Sequence, residues 1–182
     1  IIDIAGVGDV SSYMIATTDG IWVWGGTPNN FNLPGISGNS FQKVRLPVEI
    51  DSKNIKSISA ATNNFTILMQ DGTVYAYGEA KPTLNGAGLT AATTNFTKVL
   101  VAPNTPLTNI SQIESTSNGS FAADVANNKL YTWGTNVYLG NGTAAATLNY
   151  ATEMTNPLPS GTRIAMIDAT YNASMTYLVL GT

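Results

Sequence analysis

The sequence predicts an all-β fold built from about three and a third copies of one repeat, on three observations. First, a pair of isoleucines three apart recurs as Ile1/Ile4, Ile55/Ile58, Ile110/Ile113 and Ile164/Ile167, and the second members fall 54, 55 and 54 residues apart. Second, the first three pairs are each followed in the same phase by an apolar run, a turn and an aromatic strand that stops at glycine. Third, no segment sustains the 3.6-residue spacing of an amphipathic helix. Self-similarity at a period of this length is the mark of stacked supersecondary units, each burying a face it cannot bury alone.

Within each repeat the entry strand carries the isoleucine pair. The turns that follow contain Asp19-Gly20, Asp71-Gly72 and Asn127-Asn128, residue types that tolerate the positive φ of a tight hairpin. The aromatic strands are Ile21-Trp22-Val23-Trp24-Gly25, Val74-Tyr75-Ala76-Tyr77-Gly78 and Leu130-Tyr131-Thr132-Trp133-Gly134. Side chains two apart in a strand share a face, so Trp22/Trp24, Tyr75/Tyr77 and Tyr131/Trp133 form bulky faces, with Val23, Ala76 and Thr132 on the thin faces behind them. Bulky against thin is what stacked sheets require, so these rings are read as the core between one unit and the next.

About thirty Gly-, Pro-, Asn- and Thr-rich residues connect each hairpin to the next isoleucine pair. They hold the short strand-like pieces Phe41-Gln42-Lys43-Val44 and Phe96-Thr97-Lys98-Val99-Leu100, while Pro47, Pro106 and Pro157 fall in the lead-in to the next repeat. Two strands from the hairpin and one or two from the connector make a blade of about four strands, the unit of a β-propeller. The repeats run over 1–54, 55–109, 110–163 and 164–182, the last incomplete, in a single array. Because 182 residues at this period fall short of the four to eight blades of a closed ring, the chain is expected to belong to a longer polypeptide; a two-chain ring and an arc capped by a partner are the alternatives.

The entry strand, the Asp-Gly turn, the aromatic-x-Trp-Gly strand and a Gly/Asn loop ending in Leu-Gly-x-Gly together resemble the repeat of the regulator of chromosome condensation family. The loop survives best as Gly134-Thr135-Asn136-Val137-Tyr138-Leu139-Gly140-Asn141-Gly142, two residues shorter than the usual spacing. The first two repeats keep traces of it over Asn30 to Gly38 and Leu84 to Gly88. The resemblance covers essentially the whole chain and implies part of a seven-bladed propeller. Its founding member is an exchange factor for a small nuclear GTPase and binds chromatin. No counterpart of its GTPase-facing insertion or basic arm occurs in this sequence, and the glycine and histidine usual in the family's entry strand are missing, so exchange activity is not carried over.

Composition narrows the function further. With 8 Lys+Arg scattered singly and a net charge of −3, no basic stripe exists to displace counterions from nucleic acid. No apolar run is long enough to span a membrane as a helix. Cysteine and histidine are both absent, which removes thiol nucleophiles, imidazole bases, disulfides and the usual zinc, copper and haem ligands. The span from Asp9 to Asp19 lacks the alternating acidic spacing of a calcium loop, and Gly6-Val7-Gly8 is too short for a dinucleotide fingerprint. No cofactor and no metal are expected.

Asp19 and Asp71 are assigned to turns, Asp3 and Asp168 to strand edges, and Glu79, Glu114, Asp124 and Glu153 to the solvated surface. Six sequons, at Asn64, Asn95, Asn109, Asn118, Asn141 and Asn172, are what chance gives in so Asn- and Thr-rich a chain. The expected recognition surface is the propeller rim, at Asn30, Phe31, Asn85, Leu89, Asn136 and Tyr138, since loops on a rigid scaffold are free to bind.

The function expected is a non-enzymatic binding or adhesion module, extracellular or on a cell or particle surface, contacting a protein or glycan partner through these loops. A structural spacer or assembly unit of a filament, fibre or virion is the alternative. A glycan-active enzyme with a carboxylate pair at the central channel ranks last.

Overall fold

The computed structural model describes residues 1–7, 12–25, 33, 35–36, 40–78, 81–135, 139, 147–154, 158–169 and 177–181, the last stretch by its backbone. Three four-stranded antiparallel sheets follow one another along the chain. The first is β1 (Asp3–Val7), β2 (Ser12–Thr17), β3 (Gly20–Gly25) and β4 (Gln42–Lys43); the second is β5 (Ile55–Ala61), β6 (Asn64–Met69), β7 (Val74–Gly78) and β8 (Thr97–Lys98). After a small hairpin of β9 (Leu100–Ala102) and β10 (Thr105–Pro106), the third sheet is β11 (Gln112–Ser115), β12 (Gly119–Asp124), β13 (Lys129–Thr135) and β14 (Thr147–Glu153). A fourth pair, β15 (Ile164–Ala169) and β16 (Tyr177–Gly181), follows. Each full sheet keeps its strands in chain order, as a propeller blade does. Among the described residues the helical content is two 3₁₀ turns, Ser52–Asn54 and Pro82–Asn85, and no helix is long and apolar enough to cross a membrane.

The turns explain the hairpins. Ala61 pairs with Asn64 across a two-residue loop whose second residue, Asn63, sits at φ 61°. Asp71 accepts hydrogen bonds from the Thr73 amide (2.9 Å) and hydroxyl (2.7 Å), bonds that hold its carboxyl below the ordinary range. In the third blade Asn128 takes the left-handed conformation, at φ 57°. Asp124 is buried there rather than solvated, accepting from the Asn127 amide and side chain. Its role is that of a turn residue, which a carboxylate at a strand end fills by bonding to the backbone ahead of it.

Bulky faces meet thin faces as the sequence requires. Tyr75 and Tyr77 of the second blade are buried in one cluster with Met14, Ile21 and Val23 of the first. Trp133 of the third is buried with Leu68, Val74 and Ala76 of the second, and Tyr131 packs at the edge of that cluster. Ile164 and Ile167 close on Phe121, Ala123 and Leu130. In the second and third blades the isoleucine pair and the aromatic face are covered by the aliphatic face of the blade before, and at the fourth pair the two isoleucines are covered by the blade before. Trp22 and Trp24, on the first blade, are half-buried.

A connector element unforeseen in the sequence locks the second interface. The 3₁₀ turn of the second repeat folds over the third blade, and the Trp133 indole donates to the Leu84 carbonyl at 2.9 Å. Gly86, which ends that turn at φ 59°, lies against the same indole, where a Cβ would stand 2.8 Å from the ring.

Candidate functional site

The first strands of the blades, β1, β5, β11 and β15, run side by side and wall a cavity of about 440 Å³ lined by Asp3, Gly6, Ser59, Glu114, Ser115 and Ala169 among others. Side chains on this wall reach from one blade to the backbone of the next. Asp3 accepts the Ile58 amide at 2.9 Å. Gln112 accepts the Ile167 amide at 2.8 Å and donates to the Ala165 carbonyl at 2.9 Å. At the middle interface Ser57 holds the equivalent position, and the link moves two residues on: the Ser59 hydroxyl accepts the Ser115 amide at 2.9 Å and donates to Glu114 at 3.1 Å.

Glu114 therefore is not a solvated surface group. Burial, with the nearby Asp168 and Asp3 carboxylates adding to it against the Ser59 bond, pushes its carboxyl up to about 7. A carboxyl titrating near neutrality in a cavity is a recognised sign of acid-base chemistry, and also of an internal tie. Here the second reading has the bonds: Asp3 spends its oxygens on the Ile4 and Ile58 amides, and Glu114 is held by Ser59. Among the described residues no group of three or more Asp, Glu, His or Cys is placed to hold a metal ion.

The larger opening lies between the connectors of the first two repeats. A groove of about 730 Å³ is walled by residues 44–49 on one side and 94–96 on the other, with Leu33 between. Val44, Leu33 and Phe96 are buried in its floor, and Val48 stands 96% exposed on its wall between Pro47 and Glu49. Glu49 also borders a second opening of about 470 Å³ with Asp51, Asp71, Tyr75 and Lys98, so the two share a rim. Lys98 there lies 5.4 Å from the centre of the Tyr75 ring, a cation held over an aromatic face.

Of the six rim residues named from sequence, Asn30, Phe31, Asn136 and Tyr138 lie outside the described residues. Asn85 is buried, its side-chain oxygen accepting the Gly78 amide at 2.8 Å, so it holds its own loop rather than facing solvent. Leu89 is half-buried. The residues named from sequence do not include 44–49 and 94–96, where the one signal is the apolar run Val44-Arg45-Leu46-Pro47-Val48. Among the sequons, Asn64 is buried with its amide nitrogen on the Thr116 and Gly119 carbonyls, whereas Asn95 is exposed at the groove.

No family model and no curated protein matches the chain. Solved structures do. Human WBSCR16 matches with a TM-score of 0.71 at 14% identity, over 98% of this chain and 44% of that one. Prp20p from Saccharomyces cerevisiae, described with its binding to Gsp1p and histones, matches with a TM-score of 0.71 at 20% identity, over 94% of this chain and 42% of that one. Yeast RCC1 (Prp20) with Kap60 bound gives 0.64 at 19% identity, over 94% and 38%. The chain thus spans less than half the length of these structures, and the likeness shows the fold, an RCC1-like array of propeller blades.

Proposed function

Proceeding from an RCC1-like propeller fold, we propose that this chain is a non-enzymatic interaction module that holds a protein partner in the groove between the connectors of its first two blades. The observation that carries the reading is Val48, displayed at 96% exposure beside Arg45 and Glu49 over a floor of Leu33, Val44 and Phe96. An apolar anchor ringed by opposite charges is the composition of an interface core with its polar rim. The groove is open rather than enclosed, which suits a segment of another polypeptide more than a small molecule that must be enclosed. That Prp20p binds Gsp1p and histones, and Kap60, supports a protein as the partner class. Few charges and no cysteine support a place outside the cell or on a particle surface.

The test is a photo-crosslinking amino acid at position 48, with one at the exposed Ala165 position as control, in extract or medium of the source cells. Discrete adducts at 48, lost when Arg45→Glu is added and absent at 165, are the expected result. No adduct, or the same adducts at both positions, overturns the reading.

A further inference from the structure

The opening that shares Glu49 with the partner groove offers more acceptors than the chain uses. Glu49, Asp51 and Asp71 present three carboxylates to it, and Lys98 is the one cation among its lining residues. Asp51 takes the Lys53 amide on Oδ1, and Asp71 takes both Thr73 bonds on Oδ1, so among the described residues neither Oδ2 has a hydrogen bond. Glu49 has none there on either oxygen, and Lys98 forms an ion pair with none of the three. Its ammonium stands instead over the Tyr75 ring, 5.4 Å from the centre. Tyr75 is itself an independent sign of a ligand. It is 6% exposed and lines the opening, and among the described residues its hydroxyl has no hydrogen bond. A phenol at the back of a cleft with its oxygen unspent is ready to accept from a donor that enters.

We propose that this opening takes one arginine side chain of the polypeptide that lies in the neighbouring groove. A guanidinium is planar, always charged and carries five donors with no acceptor, which complements carboxylate oxygens and a phenol. Asp71, held below the ordinary carboxyl range by its Thr73 bonds, keeps its charge for this contact. Lys98 already shows that the Tyr75 ring receives a cation, so it is a tethered occupant that an incoming arginine displaces. Because Glu49 borders both openings, one segment can fill the groove and the pocket together. The identity of the partner as a polypeptide rests on the proposed function, whereas the preference for a guanidinium rests on the pocket's own residues.

The test reads the pocket alone. Nα-acetyl-arginine amide is titrated at low salt into the isotope-labelled chain and followed by amide resonances, with the citrulline analogue, alike in shape and uncharged, as control. The expected result is saturable shifts centred on Gln70, Thr73, Tyr75 and Lys98 for arginine and none for citrulline. Asp51→Asn with Asp71→Asn keeps the cap and the turn and should weaken binding about tenfold. The same double variant should lower the yield of adducts at position 48. Lys98→Met keeps the length of the side chain and removes its charge, so it should tighten binding about two- to fivefold, the worth of an exposed cation over a ring. A lysine with a merely structural role would give no such gain, and unchanged dispersion of the other resonances shows that each variant is folded. No saturable shift, equal shifts from citrulline, or a Lys98→Met variant that binds no tighter overturns the proposal, whatever position 48 crosslinks. Arginine bound here with no adduct at position 48 keeps the pocket and overturns the groove.

Discussion

Asn64 and Thr116, 52 residues apart in sequence, meet at 2.7 Å, the side-chain amide of the first donating to the carbonyl of the second. The same nitrogen reaches the Gly119 carbonyl at 2.9 Å and the Ser120 hydroxyl at 3.0 Å, so one buried side chain closes the turn of the third blade onto the second. Asn64→Ala takes this donor from the Thr116 carbonyl, while Gly119 keeps the Thr116 amide and hydroxyl, and should cost about 1–3 kcal/mol. Asn64→Asp sets a carboxylate against those carbonyls and should cost more than alanine does. Urea unfolding of both variants checks the order; aspartate at or above alanine in stability would contradict the donor role.

Trp133 combines complete burial with a hydrogen bond from its indole to the Leu84 carbonyl. Trp133→Phe keeps most of the apolar body and loses the donor, for an expected loss of about 1–3 kcal/mol in the unfolding free energy. Gly86→Ala adds a methyl at a positive φ against the same ring and should destabilise by about 1–3 kcal/mol through backbone strain and displacement of the indole. Near-UV circular dichroism of the tryptophans should change in both variants.

The carboxyl of Glu114 titrates at about 7 in the folded chain against an ordinary 4.5. Between these values the native state keeps a proton that the unfolded chain has released. The contribution of this group to stability is therefore complete below pH 4.5 and falls as pH rises, until the full cost stands above about 7. Glu114→Gln retains an acceptor for Ser59 and removes the charge. It should stabilise the protein by on the order of 2–3 kcal/mol at pH 8 and hardly at all at pH 4. Equal effects at the two pH values would show that Glu114 does not carry this dependence.

Ile58 and Ile4 occupy one repeat position in two environments. Ile58→Ala opens a cavity between the first two blades and should cost about 2–5 kcal/mol. Ile4→Ala, at 55% exposure, should cost less than about 1 kcal/mol in dilute solution. Comparable losses at both positions would show that burial does not set the cost of this substitution.

What could be read from sequence follows from which interactions are local. The isoleucine spacing, the Asp71 turn and the alternation of Tyr75-Ala76-Tyr77 are set by neighbours along the strand, and each appears in the sheets at the expected place. The fate of Glu114 was illegible because it is set by Ser59, a residue of the preceding blade, and by Asp3 and Asp168 on either side. Asn85 misled for a related reason. A Gly- and Asn-rich connector reads the same whether it waves from the rim or folds over a tryptophan, and only the Trp133 bond to Leu84 tells them apart.

The links along the channel wall all run the same way, from a side chain of one blade to the first strand of the next. A blade's innermost strand is thus clamped by its predecessor, and the chain behaves as a one-dimensional lattice whose units couple only to nearest neighbours. The terminal pair β15 and β16 has a clamp behind it, from Gln112 and Asn128, and no outer strands of its own among the described residues. Amide exchange is accordingly slowest in β6, at the centre of the one blade that is sandwiched between two complete ones.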